Sequence, residues 1–176
     1  MNILKIILGL LTFVTIYSCS HKDENTREMF HGMWRLDKYE SLDSISNTWR
    51  QDSTTWGQDT SSIDGSGYIM YDGEGHMAVH LTPKGYKDFD TKKNIDSLNN
   101  EDLKKIIKFY QSNFVYFANV ELTDSTVVHK RLSATEPRNW NTKLVRDYEF
   151  RQDTLILAAR ESISGKRIRL RWIKLK

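Results

Sequence analysis

From Met33 onward the chain repeatedly alternates apolar and polar residues, the period-two pattern of strands with one buried face. The pattern predicts strands at Met33 to Glu40, Gly67 to Tyr71, His76 to Thr82, Phe114 to Leu122, Thr126 to Ala134, Lys143 to Arg151, Leu155 to Arg160 and Arg167 to Leu175. Thr48 to Gln51 adds a short further strand. Asp72-Gly73-Glu74-Gly75, Asp124-Ser125, Gln152-Asp153 and Ser164-Gly165-Lys166 have the residue types of hairpin loops. Eight to nine strands in up-and-down order tend to close into an antiparallel barrel, because closure removes exposed sheet edges. The expected fold is all-β with one short helix. That helix is predicted from Asn99 to Gln111, where Leu103, Ile106, Ile107 and Tyr110 fall at helical spacing. Lys104, Lys105 and Lys108 lie opposite, and Glu101 and Asp102 suit the first turn. Its apolar face is expected to close one end of the barrel.

The first nineteen residues follow another pattern. Behind Lys5 runs a mostly apolar stretch from Ile6 to Ile16, the length of a signal-peptide core and well short of the ~20 residues that span a membrane. It ends in Ile16-Tyr17-Ser18-Cys19, which contains the chain's single cysteine. A small residue before a cysteine, with an aliphatic residue three places earlier, resembles the lipobox of bacterial lipoproteins, although Tyr17 is an unusual occupant. The resemblance implies cleavage after residue 18 and lipidation of Cys19 with fatty acyl chains such as palmitate. A lone cysteine in an exported chain also has no intramolecular disulfide partner. The alternatives are an ordinary signal peptide and an uncleaved anchor. The expected divisions are a signal peptide (1–18), a polar lipidated tether (19–28) and a barrel domain (29–176). The expected location is the outer membrane, and Lys22-Asp23-Glu24 resembles the charged surface-export signals of some Gram-negative lipoproteins.

Charge then narrows the partners. The whole chain carries +3, and loss of Lys5 with the leader brings it to +2, so no nucleic-acid partner is expected. About 158 residues remain after cleavage, enough for one domain with a substantial core. Composition does not specify the oligomeric state.

Gly32-Met33-Trp34 at the start of the first strand resembles the Gly-x-Trp opening of lipocalins, with Gly32 and Trp34 as its structural signature. Gly67 to Tyr71, Gly75 to Val79, Tyr116 to Val120, Val128-His129, Pro137-Arg138-Asn139-Trp140, Val145 to Tyr148 and Leu155 to Leu157 extend the likeness. In order and spacing the series is similar to the bacterial lipocalin-like domain family from about Phe30 to the C-terminus. That resemblance implies a small barrel with a cavity for a small hydrophobic or amphipathic molecule, and no particular ligand.

Strand parity nominates the cavity residues. Leu144, Arg146, Tyr148 and Phe150 share one face, so Arg146 points inward, where a guanidinium must meet carboxylates, carbonyls or an anion. Arg146 is either a structural arginine, held by carbonyls or stacked on Trp34, or the anchor of an anionic ligand. Phe114 and Tyr116 lie on the inner face of their strand, and Tyr116 and Tyr148 bring hydroxyls to an apolar space or to its wall. His129 is ambiguous, because both faces of its strand carry apolar and charged residues. The candidate ligand-binding set is Arg146, Tyr116, Tyr148, His129 and Phe114.

His76 and His80 stand about 13 Å apart on an extended strand and are expected to face solvent, not to bind metal. No phosphate loop, serine elbow or cysteine nucleophile is present, so neither a catalytic residue nor a cofactor is assigned. Arg167, Arg169 and Arg171 suggest a charged outer face paired with acids such as Glu149, and Ile173 and Leu175 suggest a register change. Trp49 and Trp56 suit ligand contact or a cover for the barrel mouth. Two rival functions remain: an isomerase or cyclase using the cavity with His129 and Arg146, and an envelope interaction module with a filled core.

Overall fold

All nine predicted strands form, because each has one face that can be hidden from water. A computed structural model describes residues 24–51, 67–83, 95–160 and 165–176. The strands are β1 (Gly32–Asp43), β2 (Thr48–Gln51), β3 (Tyr68–Tyr71), β4 (His76–Leu81), β5 (Phe114–Leu122), β6 (Thr126–Ala134), β7 (Lys143–Arg151), β8 (Thr154–Arg160) and β9 (Arg167–Lys174). Helices α1 (residues 24–30) and α2 (Asn100–Gln111) accompany them. Sequential antiparallel pairing ends with β9 returning to β1, which closes a barrel of eight strands. β2 is the extra strand. It pairs with Glu40 to Asp43 of β1, while Gly32 to Arg35 of the same strand pair with β3.

The inward positions are Met77, Val79 and Leu81 on β4, Tyr116 and Ala118 on β5, Leu155 and Leu157 on β8, and Ile168, Leu170 and Trp172 on β9, all buried. Fully burying one large aliphatic side chain stabilises a fold by roughly 1.5–3 kcal/mol, so this interior set is what holds the barrel closed. Two irregularities adjust the parity. Asp37 is an extra residue in β1 opposite β9, and Leu132 is an extra residue in β6 opposite β5. A bulge of this kind bends the strand and re-aims its neighbours. The register change expected at the end of β9 therefore occurs in its partner β1, and Ile168, Leu170 and Trp172 keep one inward parity.

The two ends of the barrel differ. The β3–β4, β5–β6 and β7–β8 hairpins turn at one end, where Asp72 Oδ1 accepts from the N–H groups of Glu74 and His76. Here α1 delivers Phe30 into the barrel, with its ring centroid 4.9 Å from Tyr71, 5.1 Å from Tyr148 and 5.0 Å from Phe150. The Trp34 indole N–H donates to the Phe30 carbonyl at 2.8 Å, satisfying a helix-end carbonyl. Gly32 makes the turn between them with φ +115°, a backbone region open mainly to glycine. This arrangement explains the Gly-x-Trp signature: the indole ties the plug to the first strand. Glu24 to Glu28, read from sequence as tether, belongs to that helix.

At the opposite end β4, β6 and β8 finish and β5, β7 and β9 begin. Asn99 caps α2 by accepting from the Asp102 N–H at 2.9 Å. No residue of α2 is buried, and Ile107 and Tyr110 are about half exposed, so the helix does not plug the barrel as its amphipathic pattern suggested. On the outside, Arg169 Nε lies 2.6 Å from Glu40 Oε2 and its guanidinium 4.4 Å from the Trp49 ring centre. Trp49 thus packs on the outer wall and not over the mouth. Glu149 pairs with Arg151 at 2.6 Å. The leader, Cys19, Lys22, Asp23 and Trp56 lie outside the described residues.

Candidate functional site

Polar residues interrupt the apolar lining at one level of the barrel. β3 supplies Tyr71, β5 supplies Tyr116, β6 supplies His129 and Arg131, and β7 supplies Arg146. Their inward direction follows from register: Arg146 faces Val127, His129 faces Val120 and Arg131 faces Ala118, all partners on the inner surface. The bulge at Leu132 turns both Arg131 and Ala134 inward on either side of it. That settles the two-faced pattern of β6 and places His129 fully inside, 1% exposed.

His129 bridges two tyrosines. Tyr116 Oη lies 2.7 Å from Nδ1 and Tyr71 Oη lies 3.0 Å from Nε2. Burial first, then the charges of Arg146 and Arg131, push the imidazole down to about 3, so the ring is neutral near pH 7. Burial pushes the Tyr116 phenol up to about 12, partly countered by Arg146 and Arg131, and burial holds Tyr71 well above the ordinary tyrosine range, so both hydroxyls keep their protons. A neutral imidazole has one N–H and one lone pair. One tyrosine therefore donates to the ring while the other accepts from it, and the accepting tyrosine retains an O–H for another partner.

Further donors lack acceptors. Arg146 Nη1, Arg131 Nε and Trp172 Nε1 are buried and have no hydrogen-bond partner among the described residues. Each such group costs about 1–3 kcal/mol of desolvation, more where the donor is charged. Tyr116, His129, Arg146, Phe114 and Trp172 line one interior cavity together with aliphatic side chains, and no carboxylate among the described residues lines it. Its free volume of ≈ 20 Å³ has room for about one water. A much larger open groove of ≈ 510 Å³ lies outside, between Tyr110 to Asn113 at the C-terminal end of α2 and the turn at Pro137 to Asn139. Phe114 lines both spaces. It is the residue common to the walls of the groove and of the cluster's cavity.

Four of the sequence-predicted residues, Arg146, Tyr116, His129 and Phe114, thus come together. Tyr148 does not join them. Its hydroxyl donates to the Thr123 carbonyl at 3.0 Å and the Asp124 carbonyl at 3.3 Å, tying β7 to the β5–β6 hairpin at the closed end. The cation over the Trp34 ring is Lys174 at 5.2 Å, not Arg146. Tyr71, Arg131 and Trp172 were not singled out from sequence. Tyr71 shares the parity of Ile69, and Arg131 that of His129, so pairing both strands with their neighbours would have found them. His76 is exposed and sits 2.6 Å from Asp72. Among the described residues no cluster of His, Cys, Asp or Glu could hold a metal ion.

An eight-stranded antiparallel barrel, plugged at one end and carrying its polar cluster inside, is the lipocalin-like architecture. Residues 31–174 match the lipocalin-like domain family, and the chain belongs to that family. No curated protein matches it in sequence. Among solved structures, it is similar to a lipocalin-like protein from Bacteroides uniformis, with 12% identity and a TM-score of 0.43, covering 84% of this chain and 99% of that one. An uncharacterised protein from Bacteroides eggerthii has 10% identity and a TM-score of 0.40, covering 83% of this chain and 99% of that one.

Proposed function

We propose that the protein is a lipid-anchored envelope lipoprotein whose barrel binds a small amphipathic molecule through the end opposite α1. The binding half of this reading rests on Phe114, the shared wall between the outer groove and the donor-lined cavity. A groove of ≈ 510 Å³ is within the range of small-molecule sites, whereas the interior alone accommodates only a small polar group. The ligand therefore places its polar end past Phe114 and its apolar part along Tyr110, Phe114 and Pro137. The anchoring half rests on the apolar run ending in Ile16-Tyr17-Ser18-Cys19, and outer-membrane residence with surface display on Lys22-Asp23-Glu24.

The small interior volume favours one competitor, a non-catalytic interaction module with a filled core. Native mass spectrometry of protein purified from its own host separates the two. The binding reading expects an organic mass that leaves on denaturation. A bare protein mass, even at gentle activation, is the outcome the filled-core reading requires.

A further inference from the structure

We propose that the interior cluster is an oxyanion site, built for the carboxylate of the amphipathic ligand, which enters head first. This deepens the binding reading given above and rests on it. Among the described residues the cavity is lined by donors and by no carboxylate: Arg146 and Trp172 line it, with Nη1 and Nε1 buried and unpartnered, and the Arg131 guanidinium lies over the Tyr116 ring, 5.8 Å from its centre, with its Nε also unpartnered. A neutral acceptor such as an alcohol would leave the partly buried Arg146 guanidinium without a counter-charge in this cavity. A carboxylate neutralises charge and accepts several hydrogen bonds through two oxygens. The free volume, room for about one water, excludes a bulky head, and a carboxylate enters by displacing that water and shifting the side chains around it.

His129 then acquires a definite part as a positioning residue. Tyr116 lines this cavity and Tyr71 does not. For Tyr116 to donate its O–H to the oxyanion, it must accept from Nδ1–H, and Nε2 must accept from the Tyr71 hydroxyl. The bound oxyanion thus selects the Nδ1–H tautomer. In the opposite tautomer Tyr116 donates to His129, and Tyr71 carries the spare O–H, away from the ligand.

The test uses the full chain carrying Cys19→Ala, which takes no lipid, with decanoate and decanol as probes in calorimetric titrations. Decanoate is expected to bind at least tenfold more tightly than decanol. Arg146→Leu should weaken decanoate far more than decanol and so collapse that preference, because a similar-volume apolar residue replaces a charge that needs a partner. Tyr116→Phe, which keeps the ring, should weaken decanoate several-fold and decanol little, and it decides the matter if Arg146→Leu does not fold. Nitrogen-15 spectra of the histidines should show Nδ1 of His129 protonated in the decanoate complex. Equal binding of the two probes, or His129 held in the Nε2–H tautomer at saturating decanoate, overturns the oxyanion site while leaving small-molecule binding intact. No binding of either probe, together with a bare native mass from the host, overturns both.

Discussion

His129 controls how the interior responds to acid. In the unfolded chain a histidine titrates near 6.5, whereas burial and two arginines hold it at about 3 in the barrel. Between those values the unfolded state binds a proton that the native state refuses, so protonation favours unfolding. The stability held above pH 6.5 is lost as the pH falls toward 3, at ~1.4 kcal/mol per pH unit. The carboxylates affect a lower range. Asp72 is held at about 2, its hydrogen bonds to His76 and Glu74 overcoming burial, and its contribution disappears only as the pH falls from about 4 toward 2. Urea unfolding from pH 7 to pH 4.5 therefore isolates the histidine. The wild type should lose a few kcal/mol across that interval, and His129→Gln should be less stable at pH 7 with a nearly flat profile. A slope unchanged in His129→Gln would assign the acid sensitivity to another group.

At the scale of elements, β1 holds the closure together, because it bonds β9 on one edge and shares the other between β3 and β2. Across the β1–β9 seam the Glu40 and Arg169 side chains, 9% and 18% exposed, pair at 2.6 Å, and Trp49 of β2 covers the guanidinium. Removing only the cation strands a buried carboxylate. Arg169→Leu should cost ~2–4 kcal/mol in urea unfolding at pH 7, and adding Glu40→Leu should recover most of it, because an apolar pair needs no charge partner. A double variant no better than Arg169→Leu would show that packing on Trp49, not charge, holds the seam. The strands were legible in sequence because each repeats one local rule, apolar inward and polar outward. Arg146 and Tyr116 were legible as exceptions to it. The bulges at Asp37 and Leu132 were not, since they depend on the partner strand, and with them went the direction of His129 and Arg131. The amphipathic face of α2 was read correctly as a helix and wrongly as a plug. Period and charge fix a helix face, but which surface it meets depends on tertiary placement.

For the whole molecule, the two ends of the barrel have different relations to the proposed anchor. Phe30 and α1 occupy the closed end, and Cys19 precedes the first residue of α1 by five positions. At ~3.5 Å per residue, even a fully extended link spans only about 18 Å. An acylated Cys19 would therefore hold the plugged end close to the membrane and leave the opposite end, with Phe114 and the outer groove, facing the aqueous side where a ligand arrives. Cys19→Ala removes the sole thiol and hence the only site for the lipid. It should shift the protein from the membrane fraction to a soluble or uncleaved form, and the wild type should carry an acyl mass on its N-terminal peptide. Replacing Lys22, Asp23 and Glu24 with alanine should leave total protein unchanged while lowering its accessibility to protease added to intact cells. A wild type already protected from that protease would make the protein periplasm-facing. Unchanged fractionation of Cys19→Ala, together with an unmodified wild-type peptide, would remove the anchor altogether and leave a barrel with no fixed orientation to a membrane.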